Sequence, residues 1–262
     1  MQYFDTHAHY TDERFSEEYE GGAEKLLKTL FDGDVRCIVN VATNMNNAHS
    51  VIAQAAKYPN MFAAVGIHPS DCVDFPDVDA QLKKLCSLLD EQKNHKIVAL
   101  GEIGLDYYWD TEHKDLQKEY FTKQLNIACK YNIPVIIHDR DAHGDVFETL
   151  IKYQNIKGVL HSFSGSPEMA LELTRRGWYI SFSGVISFKN ARKVREVASV
   201  VPEDKILIET DCPYLTPEPF RGKLNRSDYL SYTLNALANA RNEDSNTLGS
   251  KIFQNSCNFF GI

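Results

Sequence analysis

Nowhere does the chain run apolar for anything near the about 18 consecutive residues of a membrane-spanning helix, so a membrane span is excluded from the reading. An excess of positive charge is also missing, since 28 Lys and Arg stand against 36 Asp and Glu, a formal net charge of −8. A protein that coats nucleic acid needs a broad basic face, because counterion release drives that binding, and this composition excludes one. It does not exclude an enzyme that grips only a strand end, where phosphate contacts are few and bound cations add positive charge locally. No CxxC pair or close cluster occurs among the six cysteines, Cys37, Cys72, Cys86, Cys129, Cys212 and Cys257. Disulfide scaffolding is thereby disfavoured, and Cys37 and Cys129, within apolar or helical stretches, are expected to be small buried hydrophobes. No Gly/Ser/Pro-rich linker, low-complexity stretch or internal repeat divides the chain, so residues 1–262 read as one domain. Residues 1–10 read directly as a strand with two histidines rather than a charged segment followed by an apolar one, which predicts no signal peptide and a cytoplasmic location.

What is present is an alternation of short apolar runs with longer amphipathic ones. Strands are predicted over 2–6, 36–42, 62–66, 97–101, 134–138, 158–161, 179–182 and 205–209, each rich in β-branched or aromatic residues as buried parallel strands are. Between them, Leu116, Tyr120, Ile127 and Tyr131 recur at helical spacing and predict one apolar stripe. Ser166 reads as an N-cap, Pro167 as the first helical residue and Gly177 as a stop. Eight strands alternating with helices predict a parallel α/β sheet. A doubly wound open sheet meets the same pattern, but the count of eight, and a length of 262 residues against roughly 250 for a (β/α)₈ TIM barrel, favour the closed form.

Polar residues fall at strand ends where packing does not require them. His7 and His9, two apart, point to one face of the first strand, with Asp5 expected on the same face one layer deeper. Glu102 follows the fourth strand, His138 and His161 end the fifth and sixth, and Asp211 lies just beyond the eighth. In a (β/α)₈ barrel those ends share one rim, where active sites sit. Imidazole nitrogen suits zinc and similar metals, and carboxylate oxygen suits magnesium and manganese as well. Singly each residue is as well explained by a satisfied side chain; together His7, His9, Glu102, His138, His161 and Asp211 point to a metal site.

At these same positions the chain resembles the TatD family of metal-dependent deoxyribonucleases, which are TIM-barrel hydrolases. The resemblance rests on Phe4-Asp5-Thr6-His7-Ala8-His9, Gly66-Ile67-His68-Pro69, Gly101-Glu102-Ile103-Gly104-Leu105-Asp106-Tyr107-Tyr108, Ile137-His138-Asp139-Arg140, His161-Ser162-Phe163-Ser164-Gly165 and Glu209-Thr210-Asp211-Cys212-Pro213-Tyr214-Leu215, in the family's order, from about residue 1 to 258. PHP phosphoesterases also begin with HxH but are not expected to carry the glutamate-centred motif. The resemblance implies two divalent ions (Mg²⁺, Mn²⁺ or Zn²⁺). It gives His7, His9, Glu102 and Asp211 to one, and Glu102, His138 and His161 to the other, with Glu102 bridging. Two such ions clamp a phosphoryl group and generate hydroxide at neutral pH, and Asp211 is a candidate base for the attacking water.

The activity implied is hydrolysis of DNA phosphodiesters as an exonuclease on strand ends, single-stranded ones in particular, by a monomer with no obligate protein partner. His68 and Asp106 stand as substrate-binding candidates; for His68 a capped turn before Pro69 is the equal alternative. Arg140, Arg221, Lys223 and Arg226 fall in expected rim loops, and Arg221 and Lys223, inside a family-like loop, are the ones expected to receive phosphates. After Arg221-Gly222-Lys223-Leu224-Asn225 the family tends to continue with an acidic residue and proline. Here Arg226-Ser227 follows, a departure expected to alter one rim loop and not the metal site. Tyr107, Tyr108 and Trp109 could stack a base, but plugging the barrel top is the favoured expectation. His49, His95, His113 and His143 match no ligand pattern. The rivals are a barrel hydrolase of a small ester, amide or phosphoester, a hydrolase of aminoacyl esters on RNA ends, and an inactive barrel kept for binding.

Overall fold

In a computed structural model, which describes residues 1–153 and 155–262, eight strands form one all-parallel sheet in the order of the chain. They are β1 (Tyr3–Ala8), β2 (Val35–Val41), β3 (Met61–Val65), β4 (Ile97–Asp106), β5 (Val135–Arg140), β6 (Gly158–Leu160), β7 (Tyr179–Phe182) and β8 (Ile206–Ile208). The helices between and after them are α1 (Arg14–Glu18), α2 (Gly22–Asp32), α3 (Met45–Lys57), α4 (Val78–Asp90), α5 (Lys114–Tyr131), α6 (His143–Leu150), α7 (Pro167–Arg175), α8 (Arg192–Val200), α9 (Leu230–Arg241) and α10 (Ser245–Phe260). None is long and apolar enough to cross a membrane. The last strand meets the first through Thr6 Oγ1 donating to Ile208 O (2.9 Å), Asp211 N to His7 O (2.9 Å) and His9 N to Cys212 O (2.8 Å). The sheet is thus nearly closed into the expected barrel.

A parallel strand covered on both faces must be apolar on both, and the core divides accordingly. The larger cluster lies between strands and helices and includes Ile38, Leu100, Ile103 and Trp178. The smaller draws Phe4, Val39, Ala64, Ala99, Ile136, Val159 and Leu207 from seven strands and is packed by Phe259 and Phe260 of α10. Those two phenylalanines sit with the first residues of the strands, so the apolar plug closes the end opposite the polar strand ends.

The predicted N-cap forms, since Ser166 Oγ accepts from Met169 N at 3.2 Å and α7 stops before Gly177, whose φ is +94°. The expected stripe of α5 needs correction. Leu116, Ile127 and Tyr131 are only partly buried, and the buried face carries Gln117, Tyr120, Phe121, Gln124, Leu125 and Ala128. Two glutamines replace apolar residues because each satisfies backbone groups that the sheet leaves unpaired. Gln124 bonds both N (2.8 Å) and O (3.0 Å) of Ile67, while Gln117 bonds N (2.9 Å) and O (3.0 Å) of Asp106 and O of Asp110 (3.2 Å). Among the cysteines, Cys129 is exposed and Cys37 half-buried rather than buried.

Strand β4 runs five residues past its predicted end, so Glu102 lies inside it instead of following it. Both β1 and β4 carry a register shift. Asp5 pairs with Ile38 and Ala8 with Asn40, a step of three residues against two, and Leu100 pairs with Val135 and Ile103 with Ile137 in the same way. An extra residue of this kind reverses the alternation of faces beyond it. Leu100 and Ile103 consequently both pack outward although three apart. Phe4 and Ala99 face the barrel interior, and so, beyond the shifts, do His7 and Glu102. Asp5, next to Phe4 and before the shift, faces the helices, not the layer beneath His7 as expected.

Candidate active site

The polar strand ends open into a cavity of about 590 Å³ lined among others by His9, His68, Glu102, His138, His161 and Asp211, a size usual for small-molecule and cofactor sites. At its floor, Glu102 is nearly fully buried and its two oxygens face different partners. Oε2 lies 3.2 Å from His7 Nε2 and 3.8 Å from His9 Nε2, while Oε1 lies 2.6 Å from His138 Nδ1 and 2.8 Å from His161 Nε2. Asp211 adds Oδ1 at 3.3 Å from His9 Nε2 and 3.7 Å from His7 Nε2. Its backbone is left-handed (φ +58°), a conformation Asp tolerates better than most residues. The structure thus gathers all six sequence-predicted ligands around one floor. Three overlapping groups of side chains there could hold a metal ion: His7, His9 and Asp211; His7, Glu102 and His161; His68, Glu102 and His138.

Hydrogen bonds on the far side of the His9, His138 and His161 rings decide which of their nitrogen lone pairs enter this cluster. His9 Nδ1 lies 3.0 Å from Val41 O, an atom that can only accept, so the proton sits on Nδ1 and Nε2 is bare. His138 Nε2 meets Asp106 Oδ2 at 3.0 Å and His161 Nδ1 meets Glu209 Oε1 at 3.2 Å, which leaves His138 Nδ1 and His161 Nε2 bare in the neutral rings. His7 Nδ1 is buried with no hydrogen-bond partner among the described residues, and its Nε2 is 3.0 Å from His9 Nε2. Bare imidazole nitrogens converging on one another and on carboxylates repel unless a cation or protons lie between them. The donor set therefore fits divalent metal. Without a cation, burial disfavours charge on Glu102 and on Asp211, yet the surrounding imidazoles outweigh it and hold both carboxyls below their ordinary range.

His68 differs from the other four. Its Nδ1 accepts from Ser70 N at 3.1 Å, so the neutral ring carries its proton on Nε2, aimed into the cavity 3.5 Å from Glu102 Oε1. Burial keeps the ring neutral by pushing its pKa down. The ring thus caps the turn before Pro69 and also turns its Nε2 toward the cavity. Asp106 is buried beneath the rim, with one oxygen on His138 and the other accepting from Tyr108 N (3.0 Å) and Trp109 N (2.9 Å). It lines the cavity with both oxygens engaged by protein groups.

Arg221 and Lys223 are not in the cavity. They line a neighbouring cleft of about 350 Å³ with Arg14, separated from the cavity by the shared wall of Tyr214 and Leu215. The Arg221 guanidinium lies 4.0 Å over Phe188, and Arg226 stacks at 4.8 Å on Tyr229. Arg140 is the arginine that lines the cavity. Tyr108 and Trp109 do not plug the barrel, being 55% and 68% exposed. Tyr107 alone packs inward, with its hydroxyl donating to Asp145. The Arg226-Ser227 departure reaches further than one loop, because Ser227 is buried and its Oγ donates to Asp5 Oδ2 at 2.6 Å. Asp5 also accepts from Thr210 N (2.9 Å) and Oγ1 (2.6 Å), pinning the segment that carries Asp211 to β1.

Sequence reasoning missed Glu209, Gln117 and Gln124. Glu209 stood two residues before Asp211, just past the eighth strand, and the glutamines stood seven apart on one helix face, signals that polarity alone does not raise. His143 joins Asp139 at 2.8 Å outside the cluster, and His113 joins Asp110 at 3.0 Å.

Comparison with known proteins agrees with this geometry. The family model described as TatD related DNase matches residues 4–261. An uncharacterized metal-dependent hydrolase of Bacillus subtilis, YabD, is 38% identical over 263 residues, 99% of each chain. The crystal structure of YjjV, a TatD homolog from Escherichia coli, superposes with a TM-score of 0.91 at 30% identity, covering 99% of this chain and 98% of that one. A TatD-family hydrolase from Entamoeba histolytica shares the fold at a TM-score of 0.85 and 21% identity, over 99% of this chain and 98% of that one.

Proposed function

The chain belongs to the TatD-related DNase family of metal-dependent hydrolases, and on that premise we propose that it hydrolyses DNA phosphodiesters, working from strand ends. The observation that carries the reading is the division of Glu102, whose Oε2 serves the His7–His9 side and Oε1 the His138–His161 side. In this reading His7, His9, Asp211 and Glu102 hold one divalent cation, and Glu102, His138 and His161 hold a second. Two cations bound there supply charge to the phosphoryl oxygens and lower the pKa of water.

The chain's own residues supply orientation and proton handling. Val41 O, Asp106 and Glu209 fix the rings of His9, His138 and His161, so the ligand geometry exists before substrate arrives. Asp211, ionised and 14% exposed at the cavity floor, is placed to accept the proton of an attacking water. His68 Nε2–H is a donor for a phosphate oxygen, and burial, which pushes its pKa down, favours the neutral ring. A polymeric substrate, as against a small ester, is supported by the second cleft beyond Tyr214 and Leu215, where Arg14, Arg221 and Lys223 can receive the phosphates of a continuing strand.

The test is hydrolysis of end-labelled single-stranded DNA by metal-stripped protein after adding back Mg²⁺, Mn²⁺ or Zn²⁺, with Glu102→Ala as control. Stepwise loss of nucleotides that requires metal and disappears in a folded Glu102→Ala protein is the expected result. Metal-loaded wild type that leaves DNA intact while hydrolysing a small ester or an aminoacyl-RNA overturns the reading.

A further inference from the structure

The loop after β4 presents two large aromatic side chains to solvent from a backbone that is clamped. Tyr108 and Trp109 are 55% and 68% exposed, yet both amides are held by Asp106 Oδ1, and the carbonyls of Asp106 and Asp110 are held by buried Gln117. Single exposed apolar residues need no explanation. Two adjacent ones on a rigid loop at the mouth of a polar cavity leave apolar area in water that closing the loop inward would have buried. Their rings stand 4.9 Å apart at 89°, so they offer faces in two directions. The Arg140 guanidinium lies 4.1 Å over Tyr108 and 5.5 Å from Trp109. A guanidinium stacked in this way keeps its in-plane N–H donors free for a phosphate or a base edge. Trp109 and Arg140 line the same cavity as His138 and Glu102. Asp106 joins the two regions, one oxygen on the amides of Tyr108 and Trp109 and the other on His138 Nε2 at 3.0 Å.

Resting on the deoxyribonuclease reading, we propose that Trp109, Tyr108 and Arg140 form a subsite for one unpaired nucleobase beside the scissile phosphate. The aromatic faces stack the base and Arg140 meets the adjoining phosphate. Because Asp106 fixes the loop and His138 together, the stacked base sets where along the strand the phosphate enters the floor. A base still paired in a duplex is already stacked on its neighbours and must leave them to reach this loop. The subsite therefore selects single-stranded or frayed ends over blunt duplex.

Two measurements test this. The chain has two tryptophans, Trp109 exposed and Trp178 buried at 1%, so emission from Trp109 reports stacking while Trp178 is shielded. In metal-free protein, a short oligo-thymidylate should quench Trp109, and an abasic strand of equal length should bind at least about fivefold more weakly. In metal-loaded protein, the double variant Tyr108→Ala/Trp109→Ala should raise KM for oligo-thymidylate by about 5- to 100-fold and leave KM for the abasic strand unchanged. Cleavage by the double variant at the wild-type KM, or equal quenching by the abasic strand, overturns the subsite and leaves the deoxyribonuclease reading standing. Failure of metal-loaded wild type to cleave either strand overturns that reading, and the subsite falls with it.

Discussion

Replacing Asp5 by Asn tests how the metal-bearing strands are joined. Asp5 is fully buried and accepts from Thr210 N, Thr210 Oγ1 and Ser227 Oγ at 2.6–2.9 Å, with His7 N a weaker donor at 3.4 Å. Burial penalises its charge more than these donors compensate, and the carboxyl is pushed up from 3.8 to about 6. A raised carboxyl pKa means that the folded state holds the proton more tightly than the unfolded chain. The associated stabilisation is complete below about pH 3.8 and is lost as pH rises through about 6. The gap between 3.8 and about 6 is worth about 3 kcal/mol. Asparagine has no such proton to lose but keeps an acceptor for Thr210 N, while its amide must turn the Thr210 or Ser227 hydroxyl around.

Wild type should therefore exceed Asp5→Asn most at low pH, and its advantage should shrink by about 2.4 kcal/mol between pH 4 and pH 7. Urea unfolding of both metal-free proteins at three pH values measures this, and contributions common to the two chains cancel in the difference. An advantage independent of pH would mean that Asp5 stays ionised throughout, and would refute the argument that burial outweighs its donors. Asp5→Ala should be worse than Asp5→Asn at every pH, because Thr210 N would be left buried without an acceptor at about 1–3 kcal/mol.

Two further outcomes follow from the same geometry. Gly104 has φ +148° and a Cβ there would sit 2.0 Å from His138 O, so Gly104→Ala should cost about 3 kcal/mol or more and lower metal stoichiometry; an unchanged urea midpoint would contradict this. Burial opposes charge on His138 and His161, but Glu102, Asp106 and Glu209 outweigh it and raise both pKa values in the metal-free protein. A cation must then displace protons, so its apparent Kd should be about tenfold or more tighter at pH 8 than at pH 6, with proton release in calorimetry from buffers of different ionisation enthalpy; binding without proton release would sink the assignment.

Much of the fold could be read from residue order because parallel strands covered on both faces are apolar runs of a kind surface elements rarely show. Seven of the eight predicted strands match the observed ones within one or two residues at each end, and β7 coincides. The ligand candidates were visible for a complementary reason, since His138, His161 and Asp211 interrupt apolar strands at or just past their ends. The glutamines of α5 were not visible, because a glutamine on a helix reads as surface until the loop carbonyl it satisfies is known. The exposure of Tyr108 and Trp109 was misjudged for the same cause. Three aromatics in a row read as packing, and only the Asp106–Gln117 clamp shows that two of them are held outward.

By itself the sequence determined the parallel barrel, the rim on which chemistry sits and the residue types gathered there, because these depend on periodicity and on the order of motifs. Tertiary structure alone decided that His7 and Glu102 turn to the interior face. His7 is three residues from Phe4 and Glu102 three from Ala99, so in unbroken strands neither would share the interior face with those core residues. The shifts against β2 and β5 turn both inward. Cross-strand register also set which ring nitrogens are bare, through Val41 O, Asp106 and Glu209, and left Arg221 and Lys223 one cleft away. Alternation of faces is local and can be read along the chain, whereas a register shift depends on the partner strand, and no single segment encodes it.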